Sequence, residues 1–259
     1  MHDALDMSGK AVIVTGGVRG VGRGIATCFL EAGADVVVCD YKESETLPSG
    51  GGKQAVFIHA DVRNIEDIDK VVTSAAERFG RLDVLVNNAG GAPPADAATA
   101  SPRFSESILR LNLIAPLNFA QRANAIMQTQ DAGGTIINIA SVSAIRPSPG
   151  TAAYGAAKAG VLSLTQSLAV EWAPKVRVNA VVAGMILTEQ AQLHYGDEAG
   201  IAAVAATVPL GRLGEPRDVG DVCLFLASPL ARYISGAGIL LHGGGEKPAF
   251  LEAAKKKSE

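Results

Sequence analysis

Cysteine is scarce in this chain: Cys28, Cys39 and Cys223 are the only three among 259 residues. Their spacing forms no C-x-x-C metal or redox motif, and an odd count excludes a fully paired disulfide framework. No metal site is therefore expected. Cys28 inside a helical pattern and Cys39 at the end of an apolar run read as small core residues. A reducing, cytoplasmic compartment fits this usage. A basic stripe is also lacking. The formal net charge is -3, and the one charge run is Lys255-Lys256-Lys257, which reads as a solvated tail. A nucleic-acid surface is not expected. No apolar stretch reaches the ~18 residues of a membrane span. Residues 1–10 hold no apolar signal-peptide core. No solenoid period repeats along the chain.

What the chain does have is apolar content, 48% of residues, enough for a sizeable buried core. Short apolar runs alternate with longer helical patterns. Strands are expected at 11–15, 35–39, 55–59, 82–86, 135–140, 176–182 and 239–241. Helices are expected at 20–32, 65–79, 104–129, 152–172 and 216–226, the third kinked by Pro116. The strands are apolar throughout rather than alternating, as when helices cover both sheet faces. Such alternation predicts right-handed crossovers and one α/β, doubly wound parallel sheet. No linker divides the chain, so residues 1–259 read as a single domain. Residues 1–9 and 247–259 read as flexible tails.

The first strand runs into Thr15-Gly16-Gly17-Val18-Arg19-Gly20-Val21-Gly22, which opens the first helix. Glycines there allow a sharp turn and a close backbone approach to a pyrophosphate, held by the positive helix end. By itself such a loop is only a tight turn; the strand before it and the helix after it give it weight. Asp40 ends the second strand, 18 positions beyond Gly22. An acidic side chain at about that offset meets the adenosine ribose hydroxyls and repels a 2′-phosphate, favouring NAD over NADP. Arg19 keeps the alternative open, because a guanidinium in the loop can face a 2′-phosphate. His59-Ala60-Asp61-Val62 and Asn87-Asn88-Ala89-Gly90 follow two further strands, at the sheet end where ligands bind.

Taken in order, Thr15–Gly22, Asp61-Val62, Asn87–Gly90, Asn112, Ser141 and Tyr154-x-x-x-Lys158 resemble the short-chain dehydrogenases/reductases, from about Lys10 to Gly245. The resemblance implies a single Rossmann-type domain with strand order 3-2-1-4-5-6-7. It implies a homo-oligomer, a tetramer or dimer. It implies that Gly16, Arg19, Gly20, Val21 and Gly22 hold the dinucleotide, and that Asp61 and Val62 meet the adenine. Asn88, Ala89 and Gly90 are implied at the adenosine ribose side, and Ile186 and Thr188 at the nicotinamide carboxamide. Asn112 is implied to anchor a water in a proton path from Lys158. Two positions depart from the family pattern: Ala183-Gly184 stands for Pro-Gly, and His242-Gly243-Gly244 for Asp-Gly-Gly. The second lies in a region that commonly serves subunit contacts, so His242 is expected to be structural.

The residues themselves support this chemistry. Carbonyl reduction needs an acid at oxygen, and alcohol oxidation needs a base there. Tyr154 and Lys158, four apart, share one helix face. An ammonium and an oxidised nicotinamide both favour phenolate and lower the tyrosine pKa from ~10. Lys158 can also bond the nicotinamide ribose. Ser141 follows a strand, where its hydroxyl can orient a substrate oxygen; Ser143 is a nearby alternative, and the 13-residue offset from Ser141 to Tyr154 is the one that matches the family resemblance. Substrate choice is expected in loops 91–101, 142–151 and 185–209, the last as a lid over the nicotinamide. Arg146 reads as an exposed loop arginine. The leading expectation is hydride transfer between NAD and a small secondary alcohol or ketone. Alternatives are an NADPH-dependent 3-oxoacyl reductase and a dinucleotide-binding sensor without catalysis.

Overall fold

The computed structural model describes residues 2–251. Residues 252–259, with the lysine run, lie outside the described residues, as do the side chains of His2, Asp3 and His194. Seven parallel strands form one sheet: β1 (Ala11–Thr15), β2 (Asp35–Asp40), β3 (Val56–His59), β4 (Val84–Asn87), β5 (Gly134–Ser141), β6 (Val176–Ala183) and β7 (Gly238–Leu241). Their order is 3-2-1-4-5-6-7, as expected from the resemblance. Every residue of β1 and β4 is buried, which is why these strands read as unbroken apolar runs. One core cluster, on one face, packs Ile25, Phe29 and Leu30 of α1 (Gly20–Glu31) with Val219, Cys223 and Leu226 of α8 (Pro216–Ala227). The other packs Ile68 and Val71 of α2 (Ile65–Phe79) with Phe119 and Met127 of α4 (Ala115–Met127). All three cysteines are buried, and burial pushes the Cys28 and Cys39 thiols up to about 12, which leaves them unreactive.

Local signals set the boundaries. Asn64 caps α2 by accepting from the Glu66 and Asp67 amides, and Gly80, at φ 71°, ends it. The expected helix over 104–129 is two helices, α3 (Pro102–Leu109) and α4, joined by a π-helical turn, Arg110–Ile114. Pro116 accounts for the break: it offers no amide, and its ring crowds the carbonyl four residues back. Residues 1–9, expected to be a flexible tail, are partly docked. Met7 is 3% exposed and its amide donates to Ala32 O at 2.8 Å. The Ser/Gly-rich loop before β3 contains a small antiparallel ladder, Ser49–Gly50 with Lys53–Gln54. Within 185–209 lie two short helices, α6 (Ala191–Tyr195) and α7 (Glu198–Thr207). No helix among the described residues is long and apolar enough to cross a membrane.

At the amino ends of β1 and β4, Asp83 ties the sheet together. Its carboxylate accepts from Arg81 twice at 2.6 Å, from Lys10 at 3.1 Å and from the Ala11 amide at 3.0 Å. Burial alone would raise its pKa; the bonds from Arg81, Ala11 and Lys10 outweigh burial and hold it below the usual carboxylate value.

Candidate active site

The glycine loop joins β1 to α1 at the carboxyl edge of the sheet. Gly16 and Gly20 adopt φ of +63° and +51°, in the left-handed region that favours glycine. At Gly22 a Cβ would overlap the Gly16 carbonyl, so the loop folds back on its own helix. The Thr15 hydroxyl accepts from the Asn88 and Ala89 amides, each at 2.9 Å. The Asn88 side chain donates back to Thr15 O and Gly16 O at 2.9 and 3.2 Å. The end of β4 is thereby stapled onto the loop. Sequence reasoning put Thr15 only at the loop's start; its role as a double acceptor depends on which strand lies beside β1.

The exposed Gly20 amide at the start of α1 receives an anion. Glu189 Oε1 accepts from it at 2.8 Å. A helix N-terminus that takes a carboxylate suits a pyrophosphate, so the residues present fit a dinucleotide. Asp40 ends β2, 5% exposed, with its carboxylate accepting from the Lys42 amide at 3.1 Å. Arg19 lies over the Tyr41 ring, 5.9 Å from its centroid. Asp61 is engaged by Arg63 through bonds of 2.7 to 3.2 Å, and that partner holds its pKa below the usual carboxylate value. Val62 is buried beside it. Val21 packs against the core. Ile186 bridges to Gly214, and Thr188 faces Gly20 across the loop mouth.

The residues expected to handle the proton meet where β5 ends and α5 (Ala152–Glu171) begins. Ser141 is the last residue of β5; its hydroxyl accepts from the Ser143 amide at 3.2 Å and lies near enough to the Tyr154 phenol to favour its phenolate. Lys158 is 3% exposed; its ammonium donates to Ile139 O at 2.7 Å and lies 5.6 Å from the Tyr154 ring centroid. Burial pulls Lys158 down to about 8. Burial raises the Tyr154 pKa, and the nearby Ser141 hydroxyl opposes this.

Asn112 lies in the π-helical turn, fully buried. Its Oδ1 accepts from the Gly91 amide at 2.8 Å; its Nδ2 donates to Gly91 O at 2.9 Å and Ile108 O at 3.0 Å. A π turn widens the helix and aims one side chain off the regular face. Gly90 fits beneath it: a Cβ there would lie 2.6 Å from Asn112 Oδ1 and 3.3 Å from Lys158 Nζ. Gly90 thus belongs to the same cluster as Lys158. A buried polar chain locks this cluster to the sheet. Asn87 donates to Pro116 O and Asn138 Oδ1, Asn138 to Thr165, and Thr165 to Val161 O on α5.

Beyond Ser141 opens a cavity of about 260 Å³, lined by Val142, Ile145, Arg146, His242 and Glu246 among others. Arg146 is an exposed loop arginine, as expected, and its Nη2 lies 2.7 Å from Glu246 Oε1. His242 lines the cavity, because β7 ends beside β6 and turns its next residue toward Gly184. Sequence reasoning missed Glu246, which no local motif marks.

The profile of a family described as enoyl-(acyl carrier protein) reductase matches residues 16–246. L-fucose dehydrogenase of Oryctolagus cuniculus is 38% identical, over 92% of this chain and 86% of its own. 2-Dehydro-3-deoxy-D-gluconate 5-dehydrogenase of Escherichia coli (strain K12) is 34% identical, over 93% and 97%. An uncharacterized short-chain type dehydrogenase/reductase of Sinorhizobium fredii is also 34% identical, over 94% of this chain but only 45% of its own length. The ligand-free structure of Thermoplasma acidophilum aldohexose dehydrogenase superposes with a TM-score of 0.85 at 30% identity, covering 92% of this chain and 94% of that one. This chain belongs to the short-chain dehydrogenase/reductase family. That membership makes it an NAD(P)-dependent oxidoreductase of alcohol or carbonyl carbon.

Proposed function

We propose that this protein transfers a hydride between NAD(H) and a secondary hydroxyl or ketone of a sugar-type substrate. The observation that carries the reading is the meeting of Ser141, Tyr154 and Lys158 at one strand end, beside a cavity. Support for the substrate type comes from relatives named for fucose, a deoxygluconate and aldohexoses. Support for NAD comes from Asp40, whose carboxylate is fixed at the end of β2 and opposes a 2′-phosphate. The same carboxylate argues against an NADPH-dependent 3-oxoacyl reductase.

Gly16, Gly20, Gly22 and Asp40 would hold the dinucleotide, with Ile186 and Thr188 at its nicotinamide end. When bound, the cofactor accepts or supplies the hydride and, oxidised, adds positive charge near Tyr154. Ser141 donates to the substrate oxygen and fixes its position. Tyr154 takes the hydroxyl proton during oxidation and returns it during reduction. Lys158, over the ring, favours the phenolate once the nearby charge rises. Asn112, held on Gly91 beside Lys158, continues the proton path outward. Association into a homo-oligomer is part of the proposal, supported by Val170 on α5 and Leu240 on the edge strand β7, 80% and 52% exposed.

The test is Tyr154→Phe, with nicotinamide absorbance followed against aldoses and simple secondary alcohols. Turnover should fall by ~10²–10⁴ while NADH affinity stays within about threefold. Undiminished turnover overturns the proposal.

A further inference from the structure

Resting on that reading, we infer that the Arg146–Glu246 pair selects neutral polyhydroxylated substrates over sugar acids. The two residues come from different segments that line the cavity. Arg146 follows the short turn after Ser141, and Glu246 follows the glycines after β7. Their 2.7 Å contact lies within the lining of the cavity that also includes Val142, the residue after Ser141.

The charge state of that wall decides what it binds. An unpaired arginine would recruit a carboxylate in a bidentate fork. Here Glu246 stands 2.7 Å from the Arg146 guanidinium, so a substrate carboxylate approaching Arg146 would meet a negative charge already beside it. A vicinal diol brings no second negative charge. One hydroxyl accepts from the guanidinium while its neighbour donates to the carboxylate.

The surroundings suit such a ligand. Tyr195, at the end of α6, lies within electrostatic reach of Tyr154 on one side and of Arg146 and Glu246 on the other. His242 adds a further polar edge, while Val142 and Ile145 offer apolar surface for the C–H face of a ring. At about 260 Å³ the cavity is near the lower end of the range for small-molecule sites.

The experiment compares wild type with Glu246→Gln, which keeps size and removes charge. Rates with NAD⁺ are measured on neutral aldoses, the matching uronates and simple secondary alcohols. In the wild type at least one aldose should exceed its uronate in kcat/KM by about tenfold or more. In Glu246→Gln the aldose KM should rise about tenfold with kcat little changed, and the uronate should gain, because Arg146 is released. A merely structural role would leave the aldose-to-uronate ratio unmoved. Where Glu246→Gln melts well below wild type, Arg146→Lys replaces it, with the aldose KM again expected to rise. A wild type that prefers uronates, or an unchanged ratio in a folded variant, overturns the inference. Turnover of simple alcohols without any aldose overturns it too, yet leaves hydride transfer standing. Absence of all turnover with either nicotinamide cofactor rejects both readings.

Discussion

Replacing Lys158 by methionine should stabilise the protein while abolishing its activity. Lysine and methionine are similar in length, so the buried stem is preserved. What changes is the charge. Burial lowers the lysine from its usual 10.5 to about 8, a gap equivalent to about 3 kcal/mol by which the fold disfavours the ammonium. Removing the ammonium also removes its 2.7 Å bond to Ile139 O, which costs about 1 kcal/mol. The net gain at pH 7 is about 2 kcal/mol, or roughly 4–8 °C in Tm for a chain of this size. The sign with pH follows from proton binding. Between about 8 and 10.5 the unfolded chain holds the Lys158 proton and the folded chain has released it, so wild-type stability rises with pH there. The advantage of Lys158→Met should therefore be full below pH 8 and fade towards pH 10.5. Thermal melts of both proteins at pH 7, 8.5 and 10, with turnover measured alongside, provide the assay. A variant less stable than wild type at pH 7, or an advantage indifferent to pH, would refute the reasoning.

Two further outcomes follow from the site. Gly90→Ala brings a methyl to 2.6 Å from Asn112 Oδ1, where three hydrogen bonds hold that side chain. It should cost about 1–3 kcal/mol and, by shifting Lys158, about 10² in kcat/KM; an unchanged melt and rate would disprove the crowding. Glu189→Gln removes the carboxylate from the Gly20 amide where a pyrophosphate would sit. NADH should bind about fivefold tighter, on the order of 1 kcal/mol, and calorimetry showing weaker binding would count against the shared site.

Where a signal was local, the sequence carried it. The glycine loop, the Ser141 to Tyr154 offset and the four-residue step to Lys158 are each set within one strand–helix unit. Strand order came with the family resemblance, and the sheet follows it. Partners across the carboxyl edge were not legible. Arg146 meets Glu246 and Gly20 meets Glu189 only because distant loops converge there, and no periodicity encodes such pairs. Asn112 shows an intermediate case. Pro116 announced a disturbed helix, but the π turn that aims Asn112 at Gly91 depends on the loop packed against it. Met7 carried no signal of its own within a short terminus, yet it docks beside Ala32.

The Asp83 cluster sits at the far end of the sheet from every residue discussed as chemical. Footing and workbench are thus separate properties of one strand set. Variation in the loops of the carboxyl edge can redraw what the enzyme accepts while the anchored base keeps the scaffold intact. Laboratory evolution of new substrates should accordingly find its gains around Arg146, Tyr195 and Glu246, and its casualties around Lys10, Arg81 and Asp83.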